Sequence, residues 1–295
     1  MARIEVRKTY KLYIGGAFPR SESGHSYEVT DSKGRFVANA ALASRKDVRD
    51  AVVAARKAFS GWASRTAYNR GQVVYRIAEV MESRRPQFEE AIRQSEGATA
   101  ATARRQVDAA VDRLVWYAGW ADKFAQVSGN ANPVAGPFFN HTAPEPTGVV
   151  GVLAPQESSL LGLVSVVAPV ITTGNVAVVV SSYARPLPAV TFAEVLATSD
   201  VPGGVVNLLT GDAAVLGPWL AAHMDVNGID LCGTAGVAGA DGSGDLATEL
   251  EVAAADNLKR VRRAPGAEPD WAADPGLEPM TAFVEHKTVW HPIGV

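Results

Sequence analysis

Residues 148–180 read GVVGVLAPQESSLLGLVSVVAPVITTGNVAVVV, and this stretch decides the fold. Val149 to Leu153 and Val176 to Val180 are strand-length runs that are apolar at every position rather than every second one. A strand of that kind must be covered on both faces. Between them, Leu160 to Ile171 is long enough for a helix, the connection that parallel neighbours need. The pattern repeats downstream: a helix around Ala189 to Ala197, a strand at Val205 to Leu209, a helix to His223 and a strand at Gly228 to Leu231. Apolar strands separated by helices specify an α/β fold with a doubly wound parallel sheet. Ligands of such sheets sit beyond the carboxyl ends of the strands, which draws attention to the loops Ala154 to Ser159 and Cys232 to Gly239.

Upstream the pattern is different. Tyr10 to Val37 reads as short strands with turns at Gly15-Gly16 and at Ser32 to Gly34. Ser44 is then placed to cap a helix carrying Val48, Ala51, Val52, Ala55 and Phe59 on one face. A second stripe, Val73, Val74, Ile77, Val80 and Met81, stops before Pro86, where another helix begins. The longest helical stretch runs from about Ala100 to Phe124. Val127 to Pro146, rich in Pro, Gly and Asn around Phe138 and Phe139, suits a projecting hairpin. Near the carboxyl terminus, Arg262 to Pro279 carries four prolines and reads as an irregular linker before strand-like alternation returns at Phe283, Val289 and Trp290.

Composition narrows the function. A chain of 295 residues, 47% apolar and 20% charged, can bury a sizeable core, as one large domain with an appendage or as two domains. A net charge of −3 with scattered Lys and Arg gives no footprint for nucleic acid. The single cysteine makes no internal disulfide, and neither a signal-peptide core nor a run of transmembrane length is seen, so a cytoplasmic protein is expected. The five histidines lie apart from any cluster at metal-ligand spacing, and no metal site is expected.

The candidates for chemistry are few. Gly233, Thr234 and Gly236 lie in CGTAGVAG after a strand and could open a helix as a phosphate-binding loop, although a glycine-rich surface loop explains the same letters. Cys232, at the end of that strand, has no His at a spacing that names a partner base, and reads as a buried inert thiol. Ser158 and Ser159 lack the elbow motif of a serine nucleophile and suit helix capping. Glu249 and Glu251, two apart, fall on different sides of a helix and read as a solvated face.

Taken in order, EPTGVVGVLAP (145–155), APVITTGNVAVVV (168–180), PGGVVNLLTGD (202–212) and AADNLKRV (254–261) resemble the aldehyde dehydrogenase superfamily. The resemblance spans residues 9 to 261 and includes the YIGG strand and the helix DVRDAVVAARKAFSGW (47–62). It implies a Rossmann-like NAD-binding domain over 1–126 and 148–263, an oligomerisation flap over 127–147 and 280–295, and a linker over 264–279 in place of the family's catalytic domain. The flap's strand is FVEHKTVW (283–290).

The family's functional residues do not carry across. Where the family has Trp-Asn-Phe-Pro, whose Asn helps to stabilise the oxyanion, this chain has Gln156, Glu157, Ser158 and Ser159. A carboxylate there would repel developing negative charge. Where Lys-Pro-Ser-Glu holds the adenosine ribose stand Val180, Ser181, Ser182 and Tyr183. The Phe-Thr-Gly-Ser loop near the pyrophosphate corresponds to Leu231, Cys232, Gly233 and Thr234, so Cys232 occupies a threonine position. Beyond NLKRV the family's Glu-Leu-Gly-Gly, with the general base, and its nucleophilic Cys have no counterpart.

The resemblance therefore implies a shortened, degenerate member similar to the non-catalytic second module of two-module aldehyde dehydrogenases. No catalytic residue is expected, NAD(P) binding is weak or absent, and any remnant of the cofactor site rests on Gly233, Thr234 and Gly236. The expected partner is a full-length aldehyde dehydrogenase subunit, with neither nucleic acid nor membrane involved and an oligomer formed. Two alternatives stand beside it: an NAD(P)-dependent aldehyde oxidoreductase, and a stand-alone nucleotide-binding module.

Overall fold

Two short strands, β1 (Thr9–Tyr10) and β2 (Ser26–Thr30), flank β3 (Phe36–Ala41) in a small sheet of order β1-β3-β2. These positions come from a computed structural model, which describes residues 7–239, 242–264 and 266–294; the first six residues of the opening segment, the 240–241 pair after Gly239, Pro265 of the linker and Val295 of the flap stretch lie outside the described residues. The YIGG segment is tied to the main sheet: the Tyr13 amide donates to Leu208 O at 2.9 Å and the Leu208 amide returns to Tyr13 O at 2.7 Å.

Four long helices follow: α1 (Arg45–Ala63), α2 (Ala67–Ser83), α3 (Arg85–Glu96) and α4 (Ala100–Trp120), then the short α5 (Phe124–Ser128). Ser44 caps α1 in a capping box, its hydroxyl accepting from the Asp47 amide while the Asp47 carboxylate accepts from the Ser44 amide. Thr66 and Thr99 cap α2 and α4. Pro86 sits in the first turn of α3, where its missing N–H costs no helical bond, and Gly97 ends that helix at φ 68°. The stripe predicted from Ala100 to Phe124 is thus broken after Trp120.

The hairpin strands β4 (Asn130–Asn132) and β5 (Phe138–Pro146) pair antiparallel. After them come β6 (Val149–Leu153), α6 (Leu161–Thr172), β7 (Val176–Val180), α7 (Leu187–Leu196), β8 (Val206–Leu209), α8 (Ala213–Ala222), β9 (Gly228–Asp230), a single 3-10 turn at Cys232–Thr234 and α9 (Leu246–Ala255). Every residue of β6 through β9 is buried, as continuous apolar runs require. The chain ends in β10 (Arg260–Arg262), α10 (Glu278–Thr281) and β11 (Val284–Pro292).

The main sheet has the order β10-β9-β6-β7-β8 with all pairs parallel. Helices α1 and α8 pack on one face, α8 against α9; α6 and α7 lie on the other, backed by α2, α3 and α4. The fold is therefore the doubly wound α/β type that the alternation specifies. β10 is a strand the sequence reading did not include: Arg260-Val261-Arg262, too short to show periodicity, adds an edge strand beside β9, so that of the stretch read as irregular only Arg262 at its start and Glu278 and Pro279 at its end lie in regular elements among the described residues. Residues 266–277 are irregular, as the prolines require, but lie folded against the domain, with Trp271 and Leu277 packed on the core.

The third sheet, β11-β5-β4, projects from the domain. Its root is fixed by Asn175, whose side chain accepts from the Gly148 amide at 2.8 Å and donates to Phe283 O at 2.8 Å. The Phe283 ring is buried beside Gly228, at the start of β9.

Candidate functional site at the carboxyl edge of the sheet

The order of the main sheet reverses between β6 and β9, so the crevice that such folds use lies between the loop after Leu153 and the loop after Asp230. Here the two loops touch. A Cβ on Gly233 would stand 2.4 Å from Leu153 O, Ala154 C and Pro155 N, so glycine permits main chain to pack on main chain. Thr234 is fully buried and its hydroxyl donates to Leu231 O at 2.8 Å. Gly236, at φ 74°, turns the chain away with open space around it.

These glycines do not open a helix directly. α9 starts only at Leu246, and its cap is Asp245, whose carboxylate accepts from the Thr248 amide at 3.2 Å and the Thr248 hydroxyl at 2.9 Å. Arg263 pairs with the same carboxylate. The Thr248 hydroxyl bond, reinforced by the Thr248 amide and the Arg263 charge, holds the Asp245 carboxyl below its ordinary range. A helix N-terminus attracts anions, and this one is served by an anion of its own chain.

Cys232 is 2% exposed. Burial pushes its thiol well up, and the Asp230 carboxylate, which also accepts from the Cys232 amide at 2.9 Å, pushes it further. Reactive cysteines need the reverse, an electropositive and partly open setting. Asp230 is itself buried and pairs with Arg262 on β10 at 3.0 Å, while Arg262 reaches Glu278 at 2.9 Å. Among the described residues the buried Tyr117 hydroxyl has no hydrogen-bond partner, and it lies within the electrostatic reach of these three charges. Sequence reading missed this cluster; the only written signal is the Arg262 side chain two residues after Arg260 on a strand too short to show alternation.

The loops after β6 and β7 are cross-tied. Gln156 donates to Ala154 O at 2.8 Å and accepts from the Tyr183 amide at 3.2 Å; the Ser182 hydroxyl donates to Gln156 O at 2.8 Å. Arg185 donates to Glu157 O at 2.7 Å and pairs with the exposed Glu157 carboxylate at 2.6 Å. Tyr183 stacks on Tyr27 with ring centroids 4.5 Å apart. Neither serine takes the N-cap position expected of it, which falls to Leu160; Ser158, two residues earlier, accepts from the Gly162 amide at 2.9 Å, and Ser159 donates to Glu96. Glu251, two residues from Glu249, pairs with Arg263 at 2.7 Å.

Two open clefts lie elsewhere on the surface. A cleft of about 850 Å3 opens between α2 and α4 beside Tyr68, Tyr75 and Val115, and one of about 760 Å3 lies at the start of α1 beside Arg45 and Trp219. Neither is lined by the loops of the carboxyl edge. Among the described residues, no group of three or more His, Cys, Asp or Glu could hold a metal ion, and no helix is long and apolar enough to cross a membrane.

Residues 18–261 match the model of the aldehyde dehydrogenase family. The chain belongs to that family. Among similar aldehyde dehydrogenases, cytosolic 1 of Elephantulus edwardii is 32% identical over 91% of this chain and 52% of its own length. Cytosolic 10-formyltetrahydrofolate dehydrogenase of Pongo abelii is 32% identical over 78% of this chain and 26% of its own length. Of the solved structures, HpcC from Thermus thermophilus superposes with a TM-score of 0.79 at 27% identity, covering 87% of this chain and 48% of that one. A mutant of aldehyde dehydrogenase C from Pseudomonas syringae, complexed with NAD+ and octanal, gives a TM-score of 0.76 at 29% identity over 89% of this chain and 51% of that one. The chain thus spans about half the length of the cytosolic 1 relative and a quarter of the formyltetrahydrofolate enzyme.

Proposed function

We propose that this chain is a non-catalytic aldehyde-dehydrogenase-type subunit that assembles with a full-length, catalytically competent relative. The observation that carries the reading is the state of the carboxyl edge. Covalent aldehyde oxidation requires a thiolate, a base and donors for an oxyanion. The described cysteine is buried beside a carboxylate, and the positions that resemble the family's oxyanion loop hold Gln156 and Glu157, both engaged with neighbouring loops.

Weak or absent NAD(P) binding is part of the same proposal. Relatives include proteins crystallised with NAD+, but Val180 and Tyr183 stand at the positions that resemble the ribose-binding Lys and Glu. Hydrogen bonds to charged groups contribute about 1.5–3 kcal/mol each, so each loss weakens binding by about tenfold or more. The assembly is supported by β11, whose edge away from β5 pairs with no strand among the described residues, a geometry suited to strand addition.

The experiment is purification from the native host followed by mass spectrometry, beside an aldehyde-oxidation assay of the pure chain and its Cys232→Ala variant. The expected outcome is no turnover by either protein and co-purification with a full-length relative, lost when residues 284–294 are deleted. Cofactor-dependent turnover abolished by Cys232→Ala, or a stable homo-oligomer with no partner recovered, would sink the proposal.

A further inference from the structure

The segment between β10 and α10 is held as a bound peptide is held. Arg113 on α4, buried, donates to Trp271 O at 2.8 Å and Ala273 O at 2.9 Å, and its other terminal nitrogen donates to the Ser165 hydroxyl on α6 at 2.9 Å. One guanidinium therefore clamps two nearby carbonyls of the strap to two helices, the fixed-fork recognition for which arginine is suited. The Trp271 ring packs on the core, and its indole N–H donates to Glu268 at 3.0 Å. The Glu268 carboxylate in turn lies within the field of Glu157 and Arg185, at the mouth of the loop after β6. Between these anchors the strap bonds mainly to itself, through the Asp270 and Asp274 side chains.

We propose that the surface formed by Arg113, Ser165 and the core patch beneath the Trp271 ring is a peptide-binding seat for acidic, tryptophan-bearing segments, occupied here by residues 266–277 of the same chain. The strap's sequence, GAEPDWAADPGL, states the ligand chemistry: a tryptophan for the core-facing patch, carbonyls for the Arg113 fork, and a carboxylate three residues before the tryptophan. Docking in cis is favoured because the tether gives the segment a high effective concentration. A partner peptide of the same kind gains access when the strap lifts. The seat is independent of the catalytic state of the chain, so it stands or falls apart from the proposal above.

Two measurements test it on the full chain. The Glu268→Ala/Trp271→Ala double variant, whose own strap has lost both side-chain anchors, should bind a fluorescein-labelled synthetic peptide of residues 266–277 at least tenfold more tightly than the wild-type chain does. Equal binding to both, or no binding to a double variant with wild-type circular dichroism, overturns the proposal. If the double variant does not fold, hydrogen exchange on the wild-type chain decides. Amides of residues 271–277 and 158–160 should then open together, at least a hundredfold faster than those of β6 and β7; exchange of the strap only through global unfolding overturns the seat as a separable site.

Discussion

At the carboxyl edge of the main sheet, polar side chains bond to one another and to loop main chain; in the flap, apolar side chains lie in solvent. Gln156, Ser182, Arg185 and Asp245 are each engaged within the domain. By contrast Phe139, Val289, Trp290 and Ile293 are all about half exposed or more, on or just beyond a sheet of three strands whose outer edges, at β11 and β4, pair with no other strand among the described residues. A closed edge resists ligands, and an open apolar sheet invites another chain. Under the function proposed above, family resemblance in fold does not place function in the same part of the molecule.

The largest test of this contrast is at the hinge between the two regions. Phe283 is buried at the root of the flap, and truncating a buried phenylalanine costs about 3–5 kcal/mol. Phe283→Ala should show that loss in urea unfolding. Trp290→Ala, on an exposed ring that meets Phe138 at 5.9 Å, should change stability by no more than about 0.5 kcal/mol. Its effect should appear instead in partner binding, read by co-purification. Should Trp290→Ala be the more destabilising of the two, the flap is a core element and the comparison fails.

Next in size is Gly233→Ala. Overpacking a filled site costs about 1–3 kcal/mol, and here the added carbon meets main chain that cannot swing aside. Thermal melting should record this loss, whereas Gly236→Ala, in open space at φ 74°, should show only the smaller cost of its backbone conformation. A Gly233→Ala protein as stable as the parent would mean that the crevice between β6 and β9 has room for a ligand after all.

How much of this was legible from sequence follows the length of each signal. Val149–Leu153 and Val176–Val180 are long enough to be read as buried strands, and Ser44 and Pro86 mark helix starts by local chemistry alone. β10, at three residues, is shorter than any period that could reveal it, and its pairing with β9 depends on a partner some thirty positions earlier. The quiet state of Cys232 was readable in part from its place at a strand end. Its burial beside Asp230, and the clamp of Arg113 on Trp271 and Ala273, depend on tertiary contacts that no local pattern encodes.

The smallest expected effect concerns the strap's carboxylate. Burial raises the Glu268 carboxyl above its ordinary range, opposed by the Trp271 indole N–H and assisted by the Glu157 charge, with Arg185 and the Ser158 amide opposing. The folded protein therefore binds this proton more tightly than the unfolded chain does. The resulting stability is fully present below the ordinary carboxylate pKa and is lost as pH rises through the raised value in the folded state. Glu268→Gln removes that titration while keeping an acceptor for the indole. Across this window the difference in stability between wild type and Glu268→Gln, measured by urea unfolding at a series of pH values, should move steadily against the wild type as pH rises and level off once Glu268 is ionised in both states. A difference that does not change with pH would place Glu268 in solvent and detach the strap from the closed edge, leaving the carboxyl edge as open as the flap.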